Sequence, residues 1–145
     1  MNKSLLILAA VTVSRCSLPC PAGVVANTLF AECRGESMAG QKAVASVIWN
    51  RAGGNPEKLE SVCLARKQFS CWNACYHPQK PRNAAESAIL ARFEGLESDM
   101  KAGNGKFKPS GAWTHYYAPA KCSPKWAAKL KNVQDIGSHR FGNCR

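Results

Sequence analysis

Acidic side chains are scarce in this 145-residue chain: nine Asp and Glu stand against 20 Lys and Arg, a net charge of +11. Such an imbalance suits an anionic partner, whether nucleic acid, a membrane surface or a bacterial wall polymer. Long apolar runs are lacking too. None approaches the ~20 residues that span a bilayer, which excludes a membrane channel. There is no internal repeat or long low-complexity stretch, and composition excludes a collagen-like chain. Histidine is sparse: His77, His115 and His139 are all there is, and no sequence feature brings two of them together. The GxSxG nucleophile elbow, a phosphate-binding loop and a dinucleotide fingerprint are absent, so serine-hydrolase and nucleotide-dependent chemistries have no foothold.

What remains is enough for one domain and not for two. Apolar residues make up 46%, so a core can form. Met1-Asn2-Lys3 gives a short positive start. Leu5 to Val13 is an apolar run with Thr12 its one polar member, and Arg15 ends it. That is the length of a secretory h-region and too short for a comfortable span. Small residues at Ser14 and Cys16 place a cut after Cys16. An uncleaved signal acting as a transient tether, or a buried N-terminal helix, are the alternatives. Residues 1–22 are therefore expected to be an export signal and linker, and 23–145 the folded domain. The expected location is the periplasm, the cell wall or the extracellular space.

Export changes what the eight cysteines can do. In an oxidising compartment they are expected to staple the domain by disulfides. Zinc is the competing use, because Cys71, Cys75 and His77 lie close together with Cys63 upstream. The spacing lacks the CxxC pairs of common zinc modules.

Val25, Leu29 and Phe30 fall at helical spacing, predicting a helix over 24–32 that Arg34-Gly35 interrupts. Ser37 can cap a second helix with Val44, Val47 and Ile48 on its apolar face, ended by Ala52 to Pro56. Residues 53–82 read as irregular. Asn83 with Glu86 forms a variant capping box for a helix to about Gly95. A short strand is expected within 112–118, a helical turn or two over 124–130, and a closing strand over 136–141.

Most of the acids have ordinary explanations. Glu86 caps a helix, and Glu94, Glu97 and Asp99 are expected on a solvated face. Glu32 differs, because it ends the first apolar helix. Its carboxyl can face a cleft while resting against Phe30, where desolvation would keep a proton on it. A carboxylic acid against apolar walls is what a glycosidase uses to protonate a leaving oxygen. The alternative is a solvated carboxylate paired with Arg34. Glu36 is the rival: a second acid if the helix were unbroken, or a residue that opens the next helix and pairs with Arg34 or Arg51. Among the aromatics, Trp49 and Trp126 are expected in the core, while Trp72, Tyr116 and Tyr117 are placed to line a groove. Lys121, Lys125, Lys129 and Lys131 form a cationic cluster.

The segment Ala31-Glu32-Cys33-Arg34-Gly35-Glu36-Ser37 resembles the signature of the bacterial cell-wall hydrolases that include the spore cortex-lytic enzymes. Gly40-Gln41-Lys42-Ala43-Val44-Ala45-Ser46-Val47-Ile48-Trp49-Asn50-Arg51 continues the likeness. So do Gln68-Phe69-Ser70, Tyr116-Tyr117-Ala118-Pro119, Lys125-Trp126 and Ile136-Gly137-Ser138-His139-Arg140-Phe141, in family order. Cys33 departs from the family's usual small apolar residue.

The resemblance implies an α+β, mostly α, lysozyme-like catalytic domain with a minor β part. It implies cleavage of the MurNAc–GlcNAc glycan strand of peptidoglycan by Glu32, as a lytic transglycosylase that needs no second carboxylate. Gln68, Ser70, Tyr116 and Tyr117 are its candidates for holding the sugar, and Glu36 is a second acid or a structural residue. No cofactor, metal or nucleic-acid partner is implied, and the expected state is a monomer. A phage endolysin or a secreted autolysin would fit. A cationic wall-binding or antimicrobial protein without catalysis, and a secreted nuclease with paired histidines, are the competing readings.

Overall fold

Four α-helices and one three-stranded sheet form the computed structural model, which describes residues 23–73 and 79–144. The expected export segment lies outside the described residues, as do Cys16, Cys20, Cys75 and His77. Helix α1 (Val24–Cys33) buries Val25, Ala26, Leu29, Phe30 and Cys33 along one stripe. Its first turn has no side-chain cap of its own. The Ala26 N–H instead donates to Glu97 Oε2 at 2.9 Å, across from another helix. A Cβ on Gly23 would overlap that carboxylate, so the bare glycine lets it approach. Glu97 is only 5% exposed, which corrects the solvated face expected for it.

Helix α2 (Met38–Arg51) starts as expected, with Ser37 Oγ accepting the Gly40 N–H. Ala43, Val44, Val47 and Ile48 are fully buried. Helix α3 (Leu59–Leu64) lies in the stretch read as irregular. Asn55 caps the 3-10 turn ahead of it, and Leu59 and Cys63, one turn apart, reach the core. Helix α4 (Ala84–Ala102) opens on Asn83, whose side chain accepts the Glu86 N–H at 2.9 Å. It runs past the expected stop at Gly95. Gly95 faces open space, while Phe93, Glu97 and Met100 carry the buried stripe onward. Gly103, at φ +62°, is the real terminator.

The sheet is antiparallel in the order β1-β3-β2, from β1 (His115–Tyr117), β2 (Leu130–Ile136) and β3 (His139–Cys144). The closing strand expected over 136–141 is present but begins later, as β3 from His139, because a hairpin turn separates it from Ile136 at the end of β2. Gly137-Ser138 forms the two-residue loop of that hairpin, with Gly137 at φ +60°. The expected helical turns near 124–130 are a 3-10 helix over Lys125–Lys129. Phe69, Phe107, Trp113 and Phe141 complete the core, together with the inner faces of the helices. Trp126, expected there, lies outside it.

The expected disulfide staple is not found among the described residues, where Cys33, Cys63, Cys71, Cys122 and Cys144 are all free. Three of them are core residues instead. Cys33, Cys63 and Cys71 are buried among apolar side chains and act as small hydrophobes. Burial pushes the Cys63 and Cys71 thiols up to about 12 and Cys33 higher still. Cys33 Sγ donates to the Leu29 carbonyl at 3.2 Å.

Candidate active site

Glu32 sits in the last turn of α1, half-buried. The Tyr116 hydroxyl donates to Glu32 Oε2 at 3.0 Å. Ser70 Oγ stands 3.5 Å from Oε1. Three elements thus converge: the end of α1, the 3-10 turn Ser70–Trp72, and strand β1. Tyr116 is itself fixed by rings on β3, stacking on Phe141 at 5.6 Å and meeting His139 edge-on at 5.2 Å. Burial, with the Glu32 carboxylate beside it, pushes the Tyr116 phenol well above its ordinary pKa. The phenol therefore keeps its proton, and the polarity of the bond is set: Tyr116 donates and Glu32 accepts.

Several side chains whose positioning roles sequence reading missed place these groups. Trp72 Nε1 donates to Thr28 Oγ1 at 2.8 Å, seating the Ser70 turn on α1 one turn before Glu32. Trp72 was expected to line a groove, yet it packs partly against the core. At the end of α2, Asn50 Nδ2 donates to the carbonyls of Gly111 and Trp113, each at 2.8 Å. Arg51 Nε donates to the Thr114 carbonyl at 2.6 Å. These bonds fix the approach to β1 and hence Tyr116. Arg51 also donates to Gln68 Oε1 at 3.0 Å, so Gln68 is held beside the site through that guanidinium. The signal was present as the Asn50-Arg51 pair closing the helical signature.

Tyr117 goes elsewhere. Neighbouring residues on a strand point to opposite faces. Tyr116 faces inward with Phe141, its partner in register, while Tyr117 and His115 face outward with Arg140. The same alternation separates His115 from His139, which shares the inner face with Phe141. The two described histidines therefore do not form the pair a nuclease would need.

Glu36 is committed to the hairpin. Its carboxylate accepts the Ser138 N–H at 3.1 Å and the Ser138 hydroxyl. His139 Nδ1 lies 3.6 Å away. Burial opposes its charge, but the two Ser138 bonds, with His139 and Lys121 nearby, hold the carboxyl below its ordinary value. Gly137 has a second duty here, because any Cβ would overlap the Glu36 carboxylate. Neither ion pair expected for Glu36 forms. Arg34, which the alternative reading paired with Glu32, turns to Glu86 at 3.7 Å and lies 5.3 Å over the Phe30 ring. Glu86 also takes the Arg82 guanidinium at 2.6 Å, and those hydrogen bonds lower its carboxyl to about 2.

Fold and geometry together define a small, mostly helical domain in which Glu32, Tyr116 and Ser70 meet at a helix end. The family model described as Cell Wall Hydrolase matches residues 35–142, and the chain belongs to that family. The match includes Glu36 and begins just after Glu32. The chain is 28% identical over 120 residues to a spore cortex-lytic enzyme of Bacillus cereus, covering 81% of this chain and 42% of that protein. It is 25% identical over 120 residues to the spore cortex-lytic enzyme of Bacillus subtilis, covering 81% and 36%. It thus spans about two fifths of the length of the curated relatives it matches.

Among solved structures it is similar to the catalytic domain of the germination-specific lytic transglycosylase SleB from Bacillus anthracis. The TM-score is 0.58 at 29% identity, over 83% of this chain and 91% of that one. The catalytic domain of the Bacillus cereus SleB protein gives 0.56 at 27%, over 90% and 99%.

Proposed function

We propose that this protein is an exported enzyme that cuts the MurNAc–GlcNAc strand of peptidoglycan as a lytic transglycosylase, with Glu32 as sole acid and base. The observation that carries this is the division of labour between two neighbouring glutamates. Glu32 is held between Tyr116 and Ser70 at the meeting of three elements. Glu36 is spent on the hairpin. A mechanism needing one carboxylate suits this arrangement better than hydrolysis, which commonly needs two. The likeness to the SleB catalytic domain, titled a lytic transglycosylase, supports the same reading.

In the first step the Glu32 carboxylic acid gives its proton to the glycosidic oxygen, and the bond from that oxygen to the muramic-acid C1 breaks. In the second the sugar's own 6-hydroxyl bonds to C1 and returns its proton to Glu32. The products are a free 4-hydroxyl end and a 1,6-anhydro ring, with no water consumed. Tyr116 donates to Oε2 at 3.0 Å while Ser70 stands 3.5 Å from Oε1, so Oε1 is the less tightly held oxygen and the one to carry the proton. Ser70, beside Glu32, and Gln68, beside Arg51, are the proposed partners of the sugar hydroxyls. The enzyme works as a monomer, without cofactor, outside the cytoplasm, as an endolysin or autolysin would.

Digestion of purified peptidoglycan by wild type and Glu32→Gln, read by mass spectrometry, tests this. Muropeptides with 1,6-anhydro ends from wild type only are the expected result. Ends heavier by one water would replace the transglycosylase with a hydrolase. Cleavage surviving in Glu32→Gln overturns the assignment of the acid. A folded wild type that binds wall and releases nothing makes it a binding protein.

A further inference from the structure

The outer face of the sheet carries a second cluster of aromatic rings that the proposed chemistry does not use. The Trp126 indole lies 5.3 Å from the His115 ring and 5.6 Å from Tyr117, tilted on one and edge-on to the other. All three are half-buried. Tyr116 packs against the hydrophobic core, but Trp126 and Tyr117 do not belong to it. Aromatic side chains are only 8% of the chain, so two held outside the core call for a reason.

Charge surrounds this shelf on one side of the balance. Lys125 and Lys129 flank Trp126 on the same 3-10 helix, and Lys121 and Lys131 bracket that helix; all four are exposed. Arg140 stands beside Tyr117 in the ladder. Between residues 115 and 144 the one acid is Asp135, and Arg140 Nε binds it at 2.6 Å. The shelf therefore offers flat apolar faces ringed by exposed ammonium groups, of which Lys121 also lies near Glu36.

We propose that this shelf is a second binding site, outside the catalytic centre, for the peptidoglycan strand itself. The proposal rests on the function proposed above and adds to it a second surface on the same polymer. Pyranose rings present apolar C–H faces that stack on indole and phenol rings. The peptide stems of peptidoglycan carry carboxylates, which the lysines attract. Tyr116 and Tyr117 alternate across β1, so one strand element serves both sites. A long insoluble strand can occupy both surfaces, whereas a short soluble oligomer engages the cleft alone. Two linked weak contacts then raise retention on the wall without changing the chemical step.

The test uses the full chain carrying Glu32→Gln, so that binding is measured without turnover. Sedimentation with insoluble peptidoglycan stripped of covalently attached polymers gives the bound fraction. Trp126→Ala is expected to weaken binding about tenfold. Lys125→Gln with Lys129→Gln, both exposed and safe for folding, is expected to weaken it several-fold at low salt and little at high salt. In the chain with Glu32 intact, Trp126→Ala slows digestion of insoluble wall and leaves the rate on a short soluble glycan unchanged.

Unaltered binding in both folded variants overturns the proposal. Binding that appears only when phosphodiester wall polymers remain attached overturns it as well, in favour of that polymer. An equal loss of rate on soluble and insoluble substrate makes Trp126 structural. A wild type that binds stripped wall through Trp126 but cleaves nothing leaves this site standing and removes the catalytic reading.

Discussion

Replacing Glu97 by Ala removes the cap of the helix that carries Glu32. The Ala26 N–H, buried and bonded to Glu97 at 2.9 Å, would lose its acceptor. An orphaned buried donor costs about 1–3 kcal/mol. The carboxylate also faces the positive end of α1, a further ~0.5–1 kcal/mol. Its ion pair with Lys101 at 2.8 Å is part of a chain reaching Glu60, and Lys101 is 42% exposed, so that share is only a few tenths. The total is about 3 kcal/mol. A domain of this size has an unfolding entropy such that 1 kcal/mol moves Tm by roughly 4 °C, which gives a fall of about 12 °C. Thermal unfolding followed by circular dichroism measures it. Glu97→Gln retains an amide oxygen for Ala26 and should lose less than half as much. A Glu97→Ala protein melting within about 3 °C of wild type would refute the trans-acting cap. So would a Glu97→Gln loss equal to that of Glu97→Ala.

Three further outcomes follow from the same contacts. Tyr116→Phe keeps the ring on Phe141 but deletes the donor to Glu32, so kcat should fall about 10–100-fold with KM little changed, as steady-state kinetics on soluble glycan would show. Glu86 is held to about 2 by Arg82, below its unfolded value. Its contribution to stability is therefore complete above the ordinary Glu pKa and lost as pH falls towards 2, and Glu86→Gln should flatten that part of the acid denaturation profile. At neutral pH a thiol reagent should label exposed Cys122 quickly, while buried Cys33, Cys63 and Cys71 react only after unfolding. Peptide mapping reads this, and finding any of those three in a disulfide would contradict the packing described.

Local rules foretold what local chemistry decides. Ser37 and Asn83 cap helices because their oxygens reach an N–H three residues on, a distance fixed by helix geometry. Glu32 stood out because a carboxylate ending an apolar helix is unusual, and its surrounding signature is specific. The site's supports were hidden because their partners lie far along the chain. Glu97 meets a backbone 71 residues away and Glu36 a turn 102 residues away. Nothing in the spacing of their neighbours marks either link. The strand β2 was invisible for another reason. Lys131 to Asp135 are all exposed, so no apolar alternation announces it. Helix α3 left a faint trace in the Asn55-Pro56 start followed by Leu59 and Cys63. The Gly95 stop failed because a glycine on an open helix face costs only about 1 kcal/mol, less than the burial of Leu96 and Met100 returns.

The place of β3 in the middle of the sheet sets a timetable for activity. Among the described residues β1 pairs with β3 alone, and β3 is made after it. Tyr116 cannot settle beside Glu32 before then, although α1 was synthesised more than 80 residues earlier. Closing that contact requires ordering nearly the whole chain, a high-contact-order step that comes late in folding. A partly made or still unfolded polypeptide thus holds its carboxylate without the partner that orients it. The wall-cutting activity proposed above would in this way stay silent until the β2–β3 hairpin closes.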